Sequence, residues 1–270
     1  KRMKIVITGG KGFIGSNLYK HLAKPGNQVF ILDLKNDAPV QFINELITWE
    51  PDIIYHLAAQ SRVQPSFEKP TESFEHNVAG TQAVLEFARD KKCKVIYAGS
   101  SSKHHDPYDS PYATTKMMGE ELCKMYKKCY NLDVEIARFY NVYGPGEELD
   151  PVNGNVIGIW RWCLETNNTA KIVGDGEQRR DFTHVQDIVE GLVKIGESDQ
   201  HHEDAWELGT GVNYSINELA DMFKTKFKLR FDYIEDQRGN YRETLNTNTD
   251  TRDRLGWEPK DRLKEYIDSL

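Results

Sequence analysis

The sequence predicts an α/β fold: a doubly wound parallel sheet with a smaller C-terminal lobe. Three observations lead to this prediction. Short, continuous apolar runs alternate with helical patterns through the first two-thirds of the chain. A glycine-rich turn follows the first apolar run, and the alternation stops after Gly144-Pro145-Gly146. Short buried strands separated by helices are typical of a parallel sheet that is covered by helices on both faces.

The individual elements follow from the same patterns in chain order. Apolar runs of a few residues indicate buried strands, and longer amphipathic segments with turn residues at their ends indicate helices. We expect strands at 5–7, 29–32, 53–57, 94–98 and 134–139, and helices at 13–24, 40–49, 73–91 and 111–130.

Composition excludes several classes of partner. The chain has 270 residues, of which 39% are hydrophobic and 29% charged, with a formal net charge of −7. This balance disfavours nucleic acid, because neutralising phosphates requires clustered Lys and Arg. No apolar run reaches the roughly 18 residues of a membrane span, and no signal-peptide pattern precedes the first strand. No Cys-x-x-Cys pair is present, so we expect reduced thiols in a cytoplasmic protein that has no membrane partner.

The glycine-rich turn is a candidate dinucleotide site. Gly9, Gly12 and Gly15 lie between a predicted strand and a predicted helix. Glycines in this context allow a tight turn, close approach of the backbone to a pyrophosphate, and close packing of the helix on the sheet. The amides at the start of the helix then face the phosphates.

Asp33 favours NAD as the dinucleotide. It ends the second predicted strand, where a carboxylate can accept hydrogen bonds from the adenosine ribose. A carboxylate there repels the 2′-phosphate of NADP. Lys11 and Lys35 lie nearby in the sequence and weaken this preference without reversing it.

Tyr112 and Lys116, one helical turn apart, are candidate catalytic residues. A hydride leaves a carbinol carbon readily only if the hydroxyl proton also departs, so the site needs a base. Free tyrosine, with a pKa of about 10, is mostly protonated at neutral pH. We expect the Lys116 ammonium and the nicotinamide ring to lower the pKa of Tyr112. Ser100, at the end of a predicted strand, is the expected partner of the reacting oxygen, with Ser101 and Ser102 as alternatives.

Further motifs extend along nearly the whole chain. They are TGGKGFIG at 8–15, HLAAQ at 56–60, NVAGT at 77–81, YATTK at 112–116, RFYNVYGP at 138–145, GDGEQRRDF at 174–182 and LGW at 255–257. Together they resemble the extended short-chain dehydrogenase/reductase family, specifically its nucleotide-sugar epimerases and dehydratases. The resemblance implies a Rossmann-type fold, bound NAD and a nucleotide-diphosphate sugar as substrate.

The resemblance also implies roles for individual residues. Lys116 is expected to hold the nicotinamide ribose. Additional cofactor contacts are expected from Phe13, Ile14, Leu57, Ala58, Ala59, Asn77 and Tyr140. The sugar pocket is expected to include Ser61, Arg62, Ser66 and Ser101, and the diphosphate to contact Asn141, Arg180 and Arg238. A solvated loop is the alternative for the 61–66 segment, and surface salt bridges are the alternative for Arg180 and Arg238.

The residues after Ser100 favour one reaction of the family. The 4,6-dehydratases carry Asp-Glu at the positions of Ser101 and Ser102, and serine hydroxyls cannot replace proton donors of matched pKa. The 3,5-epimerase/reductases have a cysteine near the serines, which this chain lacks. We therefore expect an NAD-dependent 4-epimerase that acts on a UDP-hexose. A dehydratase or reductase on a related nucleotide sugar, and a non-catalytic NAD-sensing protein, are the alternatives.

The resemblance also predicts the organisation of the chain. We expect an NAD-binding domain at 1–145, with 182–200 packing back on it, and a nucleotide-sugar-binding lobe at 146–181 and 201–270. Helices 73–91 and 111–130 resemble the dimer bundle of the family, so we expect a homodimer.

Two connections are shorter than the family pattern: the one from Ser100 to Tyr112, and the one from Asp33 to Pro51. The second leaves little room for a further strand and for an acidic residue that contacts adenine. The pairs His104-His105 and His201-His202 have no evident carboxylate or cysteine partners in the sequence, so we expect no metal site.

Overall fold

A parallel sheet forms the centre of the molecule, as seen in a computed structural model that describes residues 2–270. The strands are β1 (Lys4–Thr8), β2 (Gln28–Leu32), β3 (Ile53–His56), β4 (Lys94–Ser100), β5 (Val134–Phe139), β6 (Asn141–Tyr143), β7 (Ala170–Val173), β8 (Arg179–Arg180), β9 (Phe182–His184), β10 (Trp206–Leu208), β11 (Tyr214–Ser215) and β12 (Phe231–Ile234). The helices are α1 (Phe13–Leu22), α2 (Ile43–Leu46), α3 (Val63–Glu68), α4 (Pro70–Phe74), α5 (Gly80–Lys91), α6 (Pro111–Tyr130), α7 (Val156–Thr166), α8 (Val185–Glu197), α9 (Ile216–Lys226), α10 (Asp250–Leu255) and α11 (Leu263–Ser269).

The central sheet has six parallel strands in the order β10-β5-β4-β3-β1-β2. Helices cover both faces. Leu18 of α1 and Leu192 of α8 are buried in one apolar cluster, and Phe87 of α5 and Cys123 of α6 in the other. This arrangement confirms the predicted Rossmann-type α/β fold.

The order of the strands places the ligand crevice. Strand β1 lies between β2 and β3, so the chain builds the sheet outward in both directions from this point. In open α/β sheets, ligands bind outside the carboxyl ends of the strands where the order reverses. Gly9 and Leu57, which directly follow β1 and β3, lie at that position.

The shortened connection after β2 makes β2 an edge strand. Residues 34–52 contain two single-turn 3₁₀ helices and α2, but no strand. Phe30 of β2 packs edge-on against Trp49, with ring centroids 6.1 Å apart. The expectation that little room is left for a further strand therefore agrees with the structure.

The second lobe has a smaller apolar core. Its centre contains Trp160 of α7, Phe223 of α9 and Ile267 of α11. Three two-stranded pairings accompany this core: β7 with β12, β8 with β11, and β6 with β9.

The structure shifts the expected boundary of this lobe. Residues 206–208 form the sixth strand of the central sheet, and Trp257 is buried in a cluster of that sheet. These residues were expected in the lobe because their apolar runs are too short to indicate which sheet they join.

The long helix expected at 73–91 is divided. It consists of α4, a wider π-helical turn at Glu75–Ala79, and α5. The helix expected at 111–130 has those bounds in α6. Within residues 2–270, none of the helices combines the length and apolar character that crossing a bilayer requires.

Candidate active site

A cavity of about 770 Å³ opens at the carboxyl ends of β1, β3 and β4. It extends from the glycine turn after β1 to Arg180 and Tyr241 of the second lobe. The site residues predicted from the sequence line this cavity, with three exceptions: Ser66, Asn77 and Arg238. The sequence therefore predicted most of the wall of one continuous pocket.

The glycine turn fixes one end of the cavity. Gly9 has a φ of +68°, and a Cβ on it would lie 2.9 Å from the backbone nitrogen of Ala58. Glycine is therefore required both by the backbone conformation and by the approach of the neighbouring chain. The Asp33 carboxylate lies beside this turn and accepts a hydrogen bond from the N–H of Lys11, within the turn, at 2.9 Å. Its other oxygen accepts from the N–H of Lys35, also at 2.9 Å.

Tyr112 and Ser100 are hydrogen-bonded to each other in the cavity wall. The Tyr112 hydroxyl donates to Ser100 Oγ at 3.1 Å. Ser100 Oγ also accepts from the N–H of Ser102 at 3.1 Å. Two donors thus occupy the oxygen, so the Ser100 hydroxyl proton is available to a further acceptor. Of the three serines, Ser100 is the one bonded to Tyr112.

The first turn of α6 positions Tyr112. Ser110 caps the helix, with its Oγ accepting from the Ala113 N–H at 3.0 Å. The Tyr112 N–H donates to Ser66 Oγ at 3.1 Å. Because N–H groups in the first turn have no partner within the helix, these side chains satisfy donors that would otherwise lack one. Ser66 therefore supports the first turn of α6 and does not line the cavity.

Asn77 also has a supporting role. Its Nδ2 donates to Thr115 Oγ1 of α6 at 3.0 Å and to the Gln60 carbonyl at 3.1 Å, and its Oδ1 accepts from the Gln60 N–H at 2.8 Å. Asn77 therefore ties the loop after β3 to α6. The expected direct contact with the cofactor is not what this geometry provides, because the amide group is used within the protein.

Lys116 lies deep in the site. Its Nζ donates to the Ala98 carbonyl at 2.5 Å. Burial lowers the pKa of Lys116 to about 8, and the Glu120 carboxylate opposes this shift. A buried ammonium is costly unless it has close partners.

Opposing influences act on the pKa of Tyr112. Burial raises this pKa, while the hydrogen bond with Ser100 and the charge of Arg62 act in the opposite direction. The expected effect of the Lys116 ammonium on Tyr112 stays a prediction. Arg62 lines the same cavity, and its Nε donates to the Asn153 carbonyl at 2.7 Å.

The far end of the cavity is lined by polar groups of the second lobe. Arg180 Nη2 donates to Asn240 Oδ1 at 2.8 Å, and Asn141 Oδ1 accepts from the Thr244 hydroxyl at 2.9 Å. Burial lowers the pKa of Arg180 to about 10. Arg180 therefore remains cationic at neutral pH and can bind an anion here.

Arg238 lies outside the cavity, which corrects the expected diphosphate contact. It is exposed, and its guanidinium carbon lies 4.7 Å from the centroid of the Phe67 ring. The flanking residues Gln237 and Gly239 line the cavity instead. The sequence around Arg238 matches the family motif only loosely. Such a match does not indicate which side chain of this irregular loop lies in the cavity.

Tyr241 is a cavity residue that was not predicted from the sequence. Its ring stacks on His105, with centroids 3.9 Å apart and planes at 4°. This contact joins the short Ser100–Tyr112 connection to the second lobe. A single aromatic in a loop carries no periodic signal, so the sequence offered no means of identifying it.

The histidine pairs have more carboxylate neighbours than the sequence suggested. His201 lies near Asp133 and Glu135, and His202 Nε2 is 2.8 Å from Asp250 Oδ2. Glu135 is already bonded by Lys127 Nζ at 2.8 Å. The fold therefore brings together carboxylates that are distant in sequence. These groups form ion pairs and hydrogen bonds among themselves.

The fold and this site define a class of protein. The family described as the NAD dependent epimerase/dehydratase family matches residues 5–209. The chain belongs to this family, and its members use NAD as cofactor.

Individual relatives agree with this assignment. The UDP-glucose 4-epimerase of Mycolicibacterium smegmatis is 30% identical, over 98% of this chain and 96% of the relative. An epimerase from Methanothermobacter thermautotrophicus has a similar structure, with a TM-score of 0.90, 26% identity, and coverage of 98% of this chain and 90% of that one. A UDP-glucuronic acid 4-epimerase from Bacillus cereus, solved in complex with UDP-glucuronic acid and NAD, has a TM-score of 0.85, 25% identity, and coverage of 98% and 96%.

The residues of the cavity fit NAD. A Cβ on Gly12 would have one protein atom within 4 Å, Gly9 O at 3.2 Å, so a side chain there would occupy cavity space. The absence of that side chain leaves room for a pyrophosphate near the start of α1. Asp33 lines the same cavity, as expected for a contact with an unphosphorylated ribose.

Proposed function

We propose that this protein is an NAD-dependent nucleotide-sugar 4-epimerase that acts on a UDP-hexose. The observation that carries the proposal is the hydrogen bond between Tyr112 and Ser100 in a cavity that also contains Arg180. A base, a hydroxyl donor and an anion site in one pocket are the groups that a nucleotide sugar requires at its reacting carbon and its diphosphate.

Tyr112 is the base of the proposed reaction. As a phenolate, it accepts the proton of the hydroxyl on sugar carbon 4, and it returns this proton when the opposite epimer forms. Bound NAD supplies the acceptor and donor of the hydride at that carbon. Ser100 donates its free hydroxyl proton to the same sugar oxygen and orients it.

Arg180 and Asn141 hold the nucleotide while the sugar reacts. A 4-epimerase must present both faces of a 4-keto sugar to the same cofactor, so the sugar has to turn over in the pocket. A firm hold on the diphosphate keeps the intermediate bound during this rotation. The Arg180 guanidinium suits this role because it can form two parallel, charge-assisted hydrogen bonds to phosphate oxygens.

The residues beside Ser100 support epimerisation over dehydration. Ser101 and Ser102 also line the cavity, and neither is an acid that could protonate a departing hydroxyl. A 4,6-dehydratase would need such a group at this place. The dehydratase is therefore the weaker candidate.

Incubation of the NAD-loaded protein with UDP-galactose tests the proposal. We expect UDP-glucose to accumulate until equilibrium with no net formation of NADH, and UDP-glucuronate serves as a second substrate in parallel. A 4-keto-6-deoxy product would show a dehydratase instead. No conversion of either substrate would contradict the proposed function.

We also propose that the protein forms a homodimer through α4–α5 and α6. Phe74 and Tyr108, beside these helices, are 49% and 85% exposed in the single chain. Exposed aromatic side chains that lie close together are typical of contact surfaces. The single chain has a mass of 31.1 kDa. Light scattering after size-exclusion chromatography should give twice this mass, and the mass of a monomer would contradict the proposal.

A further inference from the structure

Two neighbouring arginines of β8 are held in different ways. Arg179 pairs with the Glu218 carboxylate at 3.3 Å. Both hydrogen bonds that the Arg180 guanidinium makes within residues 2–270 are to uncharged oxygens, the Arg179 carbonyl and Asn240 Oδ1, each at 2.8 Å. A guanidinium has more N–H donors than these two bonds use. The charge of Arg180 and its remaining donors are therefore available to an anion in the cavity that Arg180 lines.

The orientation of the Asn240 amide is fixed by Asp236. Asn240 Nδ2 donates to Asp236 Oδ1 at 2.7 Å, and the backbone N–H of Asn240 donates to the Gln237 carbonyl at 3.2 Å. Because the amide nitrogen is bonded to the carboxylate, the amide oxygen is the atom that contacts Arg180. The amide therefore lies between the Asp236 carboxylate and the guanidinium, and it orients the arginine without neutralising it.

The segment that carries Asn240 is tied to the first half of the molecule. Gln64 Nε2 donates to the Arg238 carbonyl at 2.7 Å. A Cβ on Gly239 would lie 2.8 Å from Val63 Cγ1, so the segment packs closely on the start of α3. The backbone that presents Asn240 is thus supported on both sides, as a residue that positions another side chain requires.

We propose that Asn240 is a positioning residue that holds Arg180 in place for the diphosphate of a nucleotide sugar and leaves its positive charge unpaired. The consequence for binding rests on the proposed function, since it assumes that Arg180 binds the diphosphate. A free arginine side chain has many rotamers, and ordering it when the ligand binds reduces affinity. A hydrogen bond that already fixes the guanidinium removes part of this cost. A carboxylate in the place of the amide would also fix the arginine, but it would compete with phosphate for the charge.

A double-mutant cycle with UDP as the probe tests the proposal without requiring turnover. UDP contains the diphosphate and lacks the sugar, and calorimetry on the full, NAD-loaded chain measures its affinity. We expect Asn240→Ala to weaken UDP binding by about 3- to 10-fold in the wild-type background. In the Arg180→Ala background, the same substitution should change the affinity by less than about 2-fold, because no arginine is left to position.

Three results of this cycle would overturn the proposal. If Asn240→Ala weakened UDP binding equally in both backgrounds, Asn240 would act directly on the nucleotide. If Asn240→Ala bound UDP like the wild type, the hydrogen bond would have no role in binding. If the wild type did not bind UDP, Arg180 would have no diphosphate to hold.

Asn213→Ala is the matched control. Asn213 Oδ1 accepts from Arg179 Nε at 2.9 Å, so this variant removes the same kind of contact from the neighbouring arginine. Adjacent residues on a strand point to opposite faces, and Arg179 and Asn213 do not line the cavity. UDP affinity should therefore equal that of the wild type. The same loss in Asn213→Ala as in Asn240→Ala would indicate a general disturbance of the lobe and would overturn the proposal.

Asn240→Asp tests whether the neutral amide matters. This variant keeps an acceptor oxygen beside Arg180 and adds a negative charge, so UDP binding should be at least as weak as in Asn240→Ala. Wild-type affinity in Asn240→Asp would contradict the claim that the charge of Arg180 has to stay unpaired.

Steady-state kinetics with UDP-galactose then separates positioning from a loss of structure. Asn240→Ala should raise KM by about 3- to 10-fold and leave kcat nearly unchanged, since Tyr112 and Ser100 are untouched. A fall in kcat at unchanged KM would contradict the proposal. If no nucleotide sugar reacts, the proposed function fails, while the UDP titrations still decide whether Asn240 acts through Arg180.

Discussion

The central-sheet half and the second lobe line the same cavity, but they hold their functional side chains in different ways. In the first half, Tyr112 lies in the first turn of a 20-residue helix and Ser100 at the end of a buried strand. In the second lobe, Arg180 and Asn141 lie on the short strands β8 and β6, and each is hydrogen-bonded to a side chain of the irregular 237–246 segment. The comparison indicates that the proposed base and hydroxyl donor are held by long regular elements, whereas the proposed nucleotide contacts depend on short strands and a loop.

The largest effect should come from the first half. Tyr112→Phe removes the proposed base and leaves the ring in place, so we expect kcat to fall by about 10²–10⁴-fold. NAD binding should be nearly unchanged, because the glycine turn and Asp33 are untouched. Steady-state kinetics and NAD titration measure both quantities. A variant with wild-type kcat would show that the base lies elsewhere.

The second lobe should affect binding more than rate. Arg180→Ala removes charge-assisted hydrogen bonds worth about 1.5–3 kcal/mol, so we expect KM for the nucleotide sugar to rise by roughly 10–100-fold, with kcat nearly constant. Arg238→Ala is the matched control, because Arg238 lies outside the cavity and KM should stay the same. If the two substitutions changed KM equally, the placement of Arg180 inside the cavity and of Arg238 outside it would be contradicted.

A smaller effect is expected at the cofactor end. Asp33→Ala removes the proposed ribose acceptor and also the partner of two backbone N–H groups. We expect NAD affinity to fall by about 10-fold, measured by calorimetry, with kcat at saturating NAD preserved. Glu45→Gln, an exposed carboxylate of the same region, should bind NAD like the wild type. Unchanged affinity in Asp33→Ala would remove this residue from the cofactor site.

The smallest expected effect concerns stability. Lys116 has a pKa of about 8 in the folded chain, below the value of about 10.4 for an unfolded lysine. Between these values the unfolded state binds more protons, so the stability of the wild type rises with pH, and below pH 8 the full cost of the buried charge applies.

Lys116→Met removes this cost and loses the bond to Ala98. We expect the variant without cofactor to be more stable by about 1–2 kcal/mol at pH 7, with the advantage disappearing near pH 10. Urea unfolding at both pH values measures this difference. If Lys116→Met were more stable than the wild type by the same amount at both pH values, the buried charge of Lys116 would not be the cause of the difference.

The same contrast explains how much could be predicted from the sequence. Strand and helix periodicity predicted α6 and β5 with their observed bounds, and with α6 the position of Tyr112. The strand predicted at 94–98 extends two residues further in β4, so that Ser100 is its last residue. Periodicity gives no direction for a loop side chain, so the outward orientation of Arg238 and the inward position of Tyr241 were not predicted. The i, i+4 spacing brings Lys116 onto the same face of α6 as Tyr112, but it does not predict that the Lys116 Nζ is bonded to the Ala98 carbonyl.

The transfer of hydrogen at sugar carbon 4 is the most direct test of the account. UDP-galactose carrying deuterium at that carbon is converted by the NAD-loaded protein in ordinary water, and the UDP-glucose product is examined by mass spectrometry. We expect the deuterium to be retained at carbon 4, because the hydrogen moves as a hydride within the closed site. Loss of the label to solvent would show that the carbon is deprotonated and would contradict the central claim.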